Sequence, residues 1–363
     1  MPRLRRSNCS APGITRRRRG RGFRYLWSNG LGVEDPDTLA RIRALAIPPA
    51  WRDVWICPWP NGHIQATGVD AAGRRQYRYH DSWRAHRDRE KFDRVLTLGR
   101  AIESLRARVA SDLSRPGMGR ERVLAAAVRL LDLGCFRVGG EEYAAEHETF
   151  GVATLRKEHV TVRHATMVFS FPAKGAKWQE VLVEDPELLP VITALVRRRT
   201  GGPDLLCYKS GRRWVDVRSE DVNAYIKEVA GGEYSAKDFR TWSATVLCAA
   251  FLAEADPPSS PTARGRAVSG AVRRVAEHLG NTPAVCRSSY IDPRVLDRFF
   301  HTETIAPLLA SARDAAALAD PSLGDPALRD PALRDAVDRA VVALLDGGET
   351  PAGARAQPTP RAA

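Results

Sequence analysis

The stretch Leu279-Gly280-Asn281-Thr282-Pro283-Ala284-Val285-Cys286-Arg287-Ser288-Ser289-Tyr290 decides how this chain is to be read. Gly280 is placed to end one helix. Thr282 offers the oxygen that caps the next, and Pro283 falls where a missing N–H costs nothing. Tyr290 lies about two helical turns past Pro283, on the same face as Pro283 and Cys286. Taken alone, this is a helix junction with a half-buried tyrosine.

Three stretches upstream share its polar character. Cys135-Phe136-Arg137-Val138-Gly139-Gly140 follows an expected helix over 120–133, and an Arg at a helix exit can present its fork to an anion. Pro172-Ala173-Lys174-Gly175-Ala176-Lys177 forms the expected turn between strands at 166–171 and 178–183. Of 56 cations only seven are Lys, and two stand in this turn. A lysine with a depressed pKa can give up a proton near neutrality, which arginine cannot. Lys237-Asp238-Phe239-Arg240-Thr241-Trp242 opens a helix expected over 240–254, which puts Arg240 in the first turn. There Asp238 can cap, and exposed backbone N–H groups favour a phosphate. Each stretch also has a plain explanation: a surface cation, a solvated turn, a capped helix.

The rest of the 363 residues supplies the context. The net charge of +13 points to a polyanionic partner, and 44 % hydrophobic residues suffice for a core. No apolar run reaches membrane-spanning length, and the Arg-rich start lacks the apolar segment of a secretory signal. The six cysteines form no CxxC pair, which argues against a zinc ribbon and for reduced thiols; no metal site and no cofactor are expected. Residues 1–20, with Arg16-Arg17-Arg18-Arg19, read as a disordered basic arm that grips phosphates. Residues 21–97 read as a β-rich domain, with a helix at 37–46 and strands at 54–57, 63–68 and 75–80. From residue 98 to 311 helical periods dominate, interrupted by the β hairpin. Residues 312–363, with Asp-Pro-Ala-Leu-Arg at 325–329 and again at 330–334, read as a low-complexity tail of a helical stub plus disorder. The fold class is therefore α+β.

In chain order the polar stretches give Arg137, Lys174, Arg240, Asn281 and Tyr290. This order, with its short step from Asn281 to Tyr290, resembles the Arg–Lys–Arg–His–Tyr pentad of type IB DNA topoisomerases, in their compact poxvirus-like and bacterial branch. Ile47-Pro48-Pro49-Ala50-Trp51, Gly62-His63-Ile64-Gln65-Ala66-Thr67-Gly68 and Gln76-Tyr77-Arg78-Tyr79-His80 extend the resemblance through the N-terminal domain. One departure is plain: Asn281 stands where the family has His. An amide donates the same hydrogen bond without titrating.

The resemblance implies a metal- and ATP-independent enzyme. Tyr290 would form a 3′-phosphotyrosyl bond, Arg137, Arg240 and Asn281 would hold the scissile phosphate, and Lys174 would protonate the leaving oxygen. It implies DNA contacts at Gln76, Tyr77 and Tyr79, to which Lys237 and Arg16 to Arg19 are added. It also implies a cytoplasmic, nucleoid-associated monomer that closes around double-stranded DNA, with its linker near 96–100. A tyrosine recombinase shares the pentad logic, but places His where this chain has Lys237 and has a helical N-terminal domain. A DNA-binding protein without activity is the other alternative.

Overall fold

The computed structural model describes residues 3–133, 136–141, 144, 146, 148–173, 175, 177–254, 258–307 and 331–347. The chain divides into two compact units, residues 1–93 and 94–363.

The first unit is a five-stranded antiparallel sheet with the order β2-β1-β3-β4-β5. Its elements run β1 Ile14–Arg19, β2 Gly22–Leu26, α1 Pro36–Ala44, β3 Arg52–Ile56, β4 Ile64–Val69 and β5 Arg75–Tyr79. α1 starts where expected: Asp35 accepts from the Thr38 N–H at 2.8 Å and Pro36 follows it. Ile14, Val33, Ile42, Val54, Ile56 and Ala66 form the core.

β1 corrects the expectation of a disordered arm over 1–20. Ile14 is fully buried opposite Ile56, and the Trp55 indole donates to the Ala11 carbonyl at 3.0 Å. The chain is already tied at Arg5, whose N–H and C=O both bond the segment around Asn61 and His63. Arg17, Arg18 and Arg19 remain exposed, so their mutual repulsion is screened by water while the backbone pairs with β2. One buried isoleucine outweighs a charge run.

The second unit begins inside a helix. α2, Asp81–Leu113, is continuous across residues 96–100, so the expected linker is a helical segment with Leu96 and Leu98 buried. α3, Arg120–Asp132, is buried from Val123 to Val128 and forms the centre of the large core. The sheet β6 Val160–Arg163, β7 Thr166–Ala173 and β8 Lys177–Glu184 lies in sequence order, with alternate β7 residues Met167, Phe169, Phe171 and Ala173 turned to the core. α4 Leu188–Arg197, the hairpin β9 Cys207–Ser210 and β10 Arg213–Asp216, and α5 Ser219–Ala230 follow. Then come α6 Ala236–Ala253, α7 Pro261–His278, α8 Pro283–Ser289 and α9 Pro293–Phe300.

The tail contains the expected helical stub, but the stub is built into the core of this unit. Residues 331–346 form α10, Pro331–Asp346, an ordered helix whose Leu333, Val337, Val341 and Leu344 are buried in the core of this unit. Their spacing is helical, in keeping with the expected stub, but spacing alone did not place it in the core. The first copy of the pentapeptide, 325–329, lies outside the described residues.

If β1 is part of the fold, Ile14→Ala should cost about 2–5 kcal/mol, while Arg18→Ala should stay within about 0.5 kcal/mol. Urea unfolding of the full chain measures both; a silent Ile14→Ala would restore the mobile arm.

Candidate active site

Four elements of the second unit bring Arg137, Arg240, Asn281 and Tyr290 together. Arg137 follows α3 in a segment anchored by Phe136, which is buried edge-on to Phe169 at 5.1 Å and stacked on Phe171 at 6.0 Å. The Arg137 carbonyl accepts from Val152 at 2.8 Å, and that of Val138 from Ala153 at 2.7 Å. The two backbones approach so closely that a Cβ on Gly151 would lie 2.4 Å from the Gly139 nitrogen, and Gly139 itself has φ +82°. Glycine is needed at both positions.

α6 begins earlier than expected. Ser235 is the N-cap residue: the Asp238 carboxylate accepts from its N–H and its hydroxyl, both at 2.9 Å. Arg94 of α2 holds the same carboxylate at 2.8 Å. Arg240 therefore lies just past the first turn, and the expected role of free N–H groups beside it falls away. Its guanidinium instead donates to the Leu279 carbonyl at the C-terminal end of α7, where the helix dipole is negative.

At that helix end Gly280 has φ +60°, and the Asn281 N–H reaches back to the Ala276 carbonyl at 2.9 Å. This turn presents the Asn281 side chain to Arg137, whose Nη2 donates to Oδ1 at 2.7 Å. A guanidinium only donates, so the amide orientation is fixed and Nδ2 faces away from Arg137. Tyr290 ends α8 with its N–H on the Cys286 carbonyl at 3.0 Å. Its own carbonyl accepts from Thr245 of α6 at 3.3 Å, and the same Thr245 hydroxyl accepts the Asp292 N–H at 3.1 Å. The Arg240 guanidinium lies 5.5 Å from the centre of the Tyr290 ring.

The electrostatics of this cluster are lopsided. Burial, and then the like charge of Arg137, push the Arg240 guanidinium down to about 10. Burial likewise lowers Arg137, with Tyr290 acting in the opposite sense. Arg240 Nε and Nη1 and Asn281 Nδ2 are buried with no hydrogen-bond partner in the protein. Three unsatisfied donors beside two crowded cations form a site that an anion completes. The cleft next to it, about 500 Å³, is lined by Arg137, Gly280 and the β8 residues from Lys177 to Leu182.

Lys174 lies outside the described residues. The strands that frame it are in place, with Ala173 paired to Lys177, and Gly175 takes the left-handed conformation of the turn. Lys237 is exposed on the first turn of α6. In the first unit, Tyr77 and Tyr79 project from the edge strand β5, both exposed and stacked at 6.0 Å; Gln76, on the other face, donates to Asp70 at 3.0 Å. Arg17 to Arg19 are free in solvent, but Arg16 is not. It bonds the carbonyls of Ile47, Pro48 and Trp51 at 2.7–3.2 Å and lies over Phe23, so it holds its own unit together rather than facing a partner. The sequence reading missed Thr245, whose signal was a Thr241–Thr245 pair one turn apart inside an apolar helix. It also missed the Leu279 carbonyl, which no sequence pattern marks.

Comparison with known proteins gives this cluster its context. The family model for the catalytic core of eukaryotic DNA topoisomerase I matches residues 80–301, more than half of the chain. That for the N-terminal domain of bacterial DNA topoisomerase IB matches residues 22–70. The chain belongs to the type IB DNA topoisomerase family. DNA topoisomerase 1B of Acanthamoeba polyphaga mimivirus is 30 % identical over 288 residues, 77 % of this chain and 85 % of that protein. DNA topoisomerase I of Monkeypox virus is 20 % identical over 63 % of this chain and 70 % of its own length. DNA topoisomerase 1 of Mycosarcoma maydis is 25 % identical over 69 % of this chain, but only 27 % of its own length. This topoisomerase thus joins a domain of the bacterial type IB N-terminal kind to the catalytic core, and acts on DNA. No helix among the described residues is long and apolar enough to cross a membrane.

An anion site of this kind should be detectable without DNA. Inorganic phosphate, compared with chloride at equal ionic strength, should raise the thermal midpoint, and Arg240→Met should remove the increment. An equal increment in both proteins would put the bound phosphate elsewhere.

Proposed function

We propose that this topoisomerase relaxes supercoiled DNA through a transient 3′-phosphotyrosyl intermediate on Tyr290, without ATP or metal. The observation that carries this reading is the set of unpaired donors on Arg240 and Asn281 beside the Tyr290 ring. The Tyr290 oxygen, its proton lost to water, attacks the scissile phosphorus. The bond to the 5′-oxygen of the next nucleotide breaks as the new one forms. Lys174 gives that oxygen a proton, because an alkoxide is a poor leaving group. Arg137, Arg240 and Asn281 neutralise the charge that builds on the non-bridging oxygens. The free 5′-end swivels. Its hydroxyl then attacks the phosphotyrosine, returns its proton to Lys174 and expels the Tyr290 phenolate. One phosphoester is exchanged for another at each step, so no external energy is required.

Asn281 suits this role in one specific way. It has both an acceptor for Arg137 and a donor left over, and neither titrates between pH 5 and 8. The exposed Tyr77 and Tyr79, with Gln76 beside them on β5, would contact DNA from the N-terminal unit, and Lys237 with Arg17 to Arg19 would add phosphate contacts. Binding would then weaken steeply with salt. We assign the active form as a monomer that closes around the duplex in the nucleoid.

Wild type should relax plasmids of either supercoil sign in EDTA without ATP, and Tyr290→Phe should not. A wild type that binds plasmid but neither relaxes it nor leaves an SDS-trapped adduct would make the chain a DNA-binding protein only.

Lys174→Ala should slow cleavage by about 10²–10⁴-fold on ordinary DNA and recover on a substrate with a bridging 5′-sulfur, a better leaving group. Equal slowing on both substrates would remove the acid role.

A further inference from the structure

The C-terminal helix α10 begins thirty residues beyond the end of the catalytic-core match, yet it meets the back of both arginine-bearing segments. Asp338 is buried, and its Oδ1 accepts from the Trp242 indole at 2.8 Å. Trp242 stands two residues after Arg240 on α6. At 100° per residue the two side chains point to nearly opposite sides of the helix. Arg240 faces Tyr290 while Trp242 faces α10. Gly99 of α2 closes over the indole so tightly that a Cβ there would lie 2.4 Å from the ring. The other end of the contact reaches α3. Arg334 donates to both the carboxylate and the carbonyl of Asp132, each at 3.0 Å, which caps the last turn of the helix that leads to Arg137. Arg106 of α2 joins the two halves: it bonds Asp132 at 2.9 Å and Asp338 at 2.6 Å. Burial alone would push the Asp132 carboxyl up, but Arg334 and Arg106 together hold it at about 2.

We infer that α10 positions the phosphate-binding arginines: Asp338, through Trp242, fixes the rotation of α6 and thus the aim of Arg240, while Arg334, through Asp132, fixes the exit of α3 ahead of Arg137. This rests on the proposed roles of Arg137 and Arg240. The physical need is evident in the site itself. The buried Arg240 and the half-buried Arg137 beside it repel one another, and a small rotation of α6 would relieve that repulsion at the cost of alignment with the phosphate. A misplacement of about 1 Å costs on the order of a hundredfold in rate. Trp242, Asp338 and Arg334 are positioning residues; none of them reaches the cluster of Tyr290, Asn281 and the two arginines.

The test uses the full chain with excess enzyme on plasmid DNA, and measures the rate of SDS-trapped adduct formation, normalised to its endpoint, beside the DNA affinity. Trp242→Phe removes the hydrogen bond and also the second ring of a buried indole, so its thermal midpoint is read beside its rate; Arg334→Met removes the charge but keeps the length. Each should slow adduct formation about tenfold at saturating DNA with affinity within about twofold, and Arg334→Lys should recover part of the rate. The deciding measurement is a double-mutant cycle. On an Arg240→Ala background, Trp242→Phe should have almost no further effect on rate, because the residue it aims is gone. A purely structural loss would lower the endpoint and the thermal midpoint but leave the normalised rate intact, and would overturn the inference. So would a full multiplicative effect on the Arg240→Ala background, or wild-type rates in both single variants. If Arg334→Met does not fold, Trp242→Phe and the cycle decide alone. A wild type that forms no adduct fails the proposed function itself, and the positioning role with it; a wild type that cleaves with variants that match it fails the positioning role only.

Discussion

A buried Arg240 and a half-buried Arg137 lie side by side, and the protein must hold them there against their own repulsion. Arg240 is almost wholly buried and its charge is disfavoured both by that burial and by Arg137. The surroundings answer with oriented oxygen: the Leu279 carbonyl at a helix C-terminus for Arg240, the Asn281 side-chain oxygen for Arg137. These acceptors offset only part of the cost, and donors on Arg240 and Asn281 remain unpaired. An anion placed there would satisfy them. That is how a site built for negative charge in a transition state differs from a satisfied ion-pair network.

A network of that second kind lies behind it. Arg106, Asp132, Arg334, Asp335 and Asp338 satisfy one another around the junction of α2, α3 and α10, and the Trp242 indole completes it. Removing one member would leave a buried charge uncompensated, which is costly, whereas the intact set adds specificity of geometry more than raw stability. The two clusters lie on opposite sides of α6. One crowds like charges, and the other pairs opposite ones.

Asn281 shows what hydrogen-bonding pattern its position asks for. What the position asks for is an acceptor toward Arg137 and a donor on the opposite side, set by the turn at Gly280. A neutral imidazole and a carboxamide both meet that demand, since each carries one acceptor and at least one donor on separate atoms. The carboxamide does so in one protonation state only. The constraint therefore lies in the geometry of the helix junction, which the backbone fixes, and less in the chemical class of the side chain.

Much of this was legible in residue order. The helix stop at Gly280, the cap at Thr282, the proline at 283 and the strands and turn around 166–184 all follow from local rules, because capping and strand alternation act over a few residues. The order Arg137, Arg240, Asn281, Tyr290 was legible too, and the fold brings these four together. Where local rules misled, a distant partner had decided the outcome. Four consecutive arginines read as a mobile arm, yet Ile14 buried against Ile56 makes them a strand and turns Arg16 inward onto three carbonyls. The helical stub of the tail was expected, but not its partners, Arg106, Asp132 and Trp242, which lie 96 or more positions away in the chain. Asp338, one of two acids just past the repeat, gives no sign in the sequence of an indole across the core. The sequence by itself determined which chemical groups are available and where helices start and stop. Only the tertiary structure decided which charges are buried together, which are neutralised and which are left to meet a phosphate, because that depends on contacts between residues far apart in the chain.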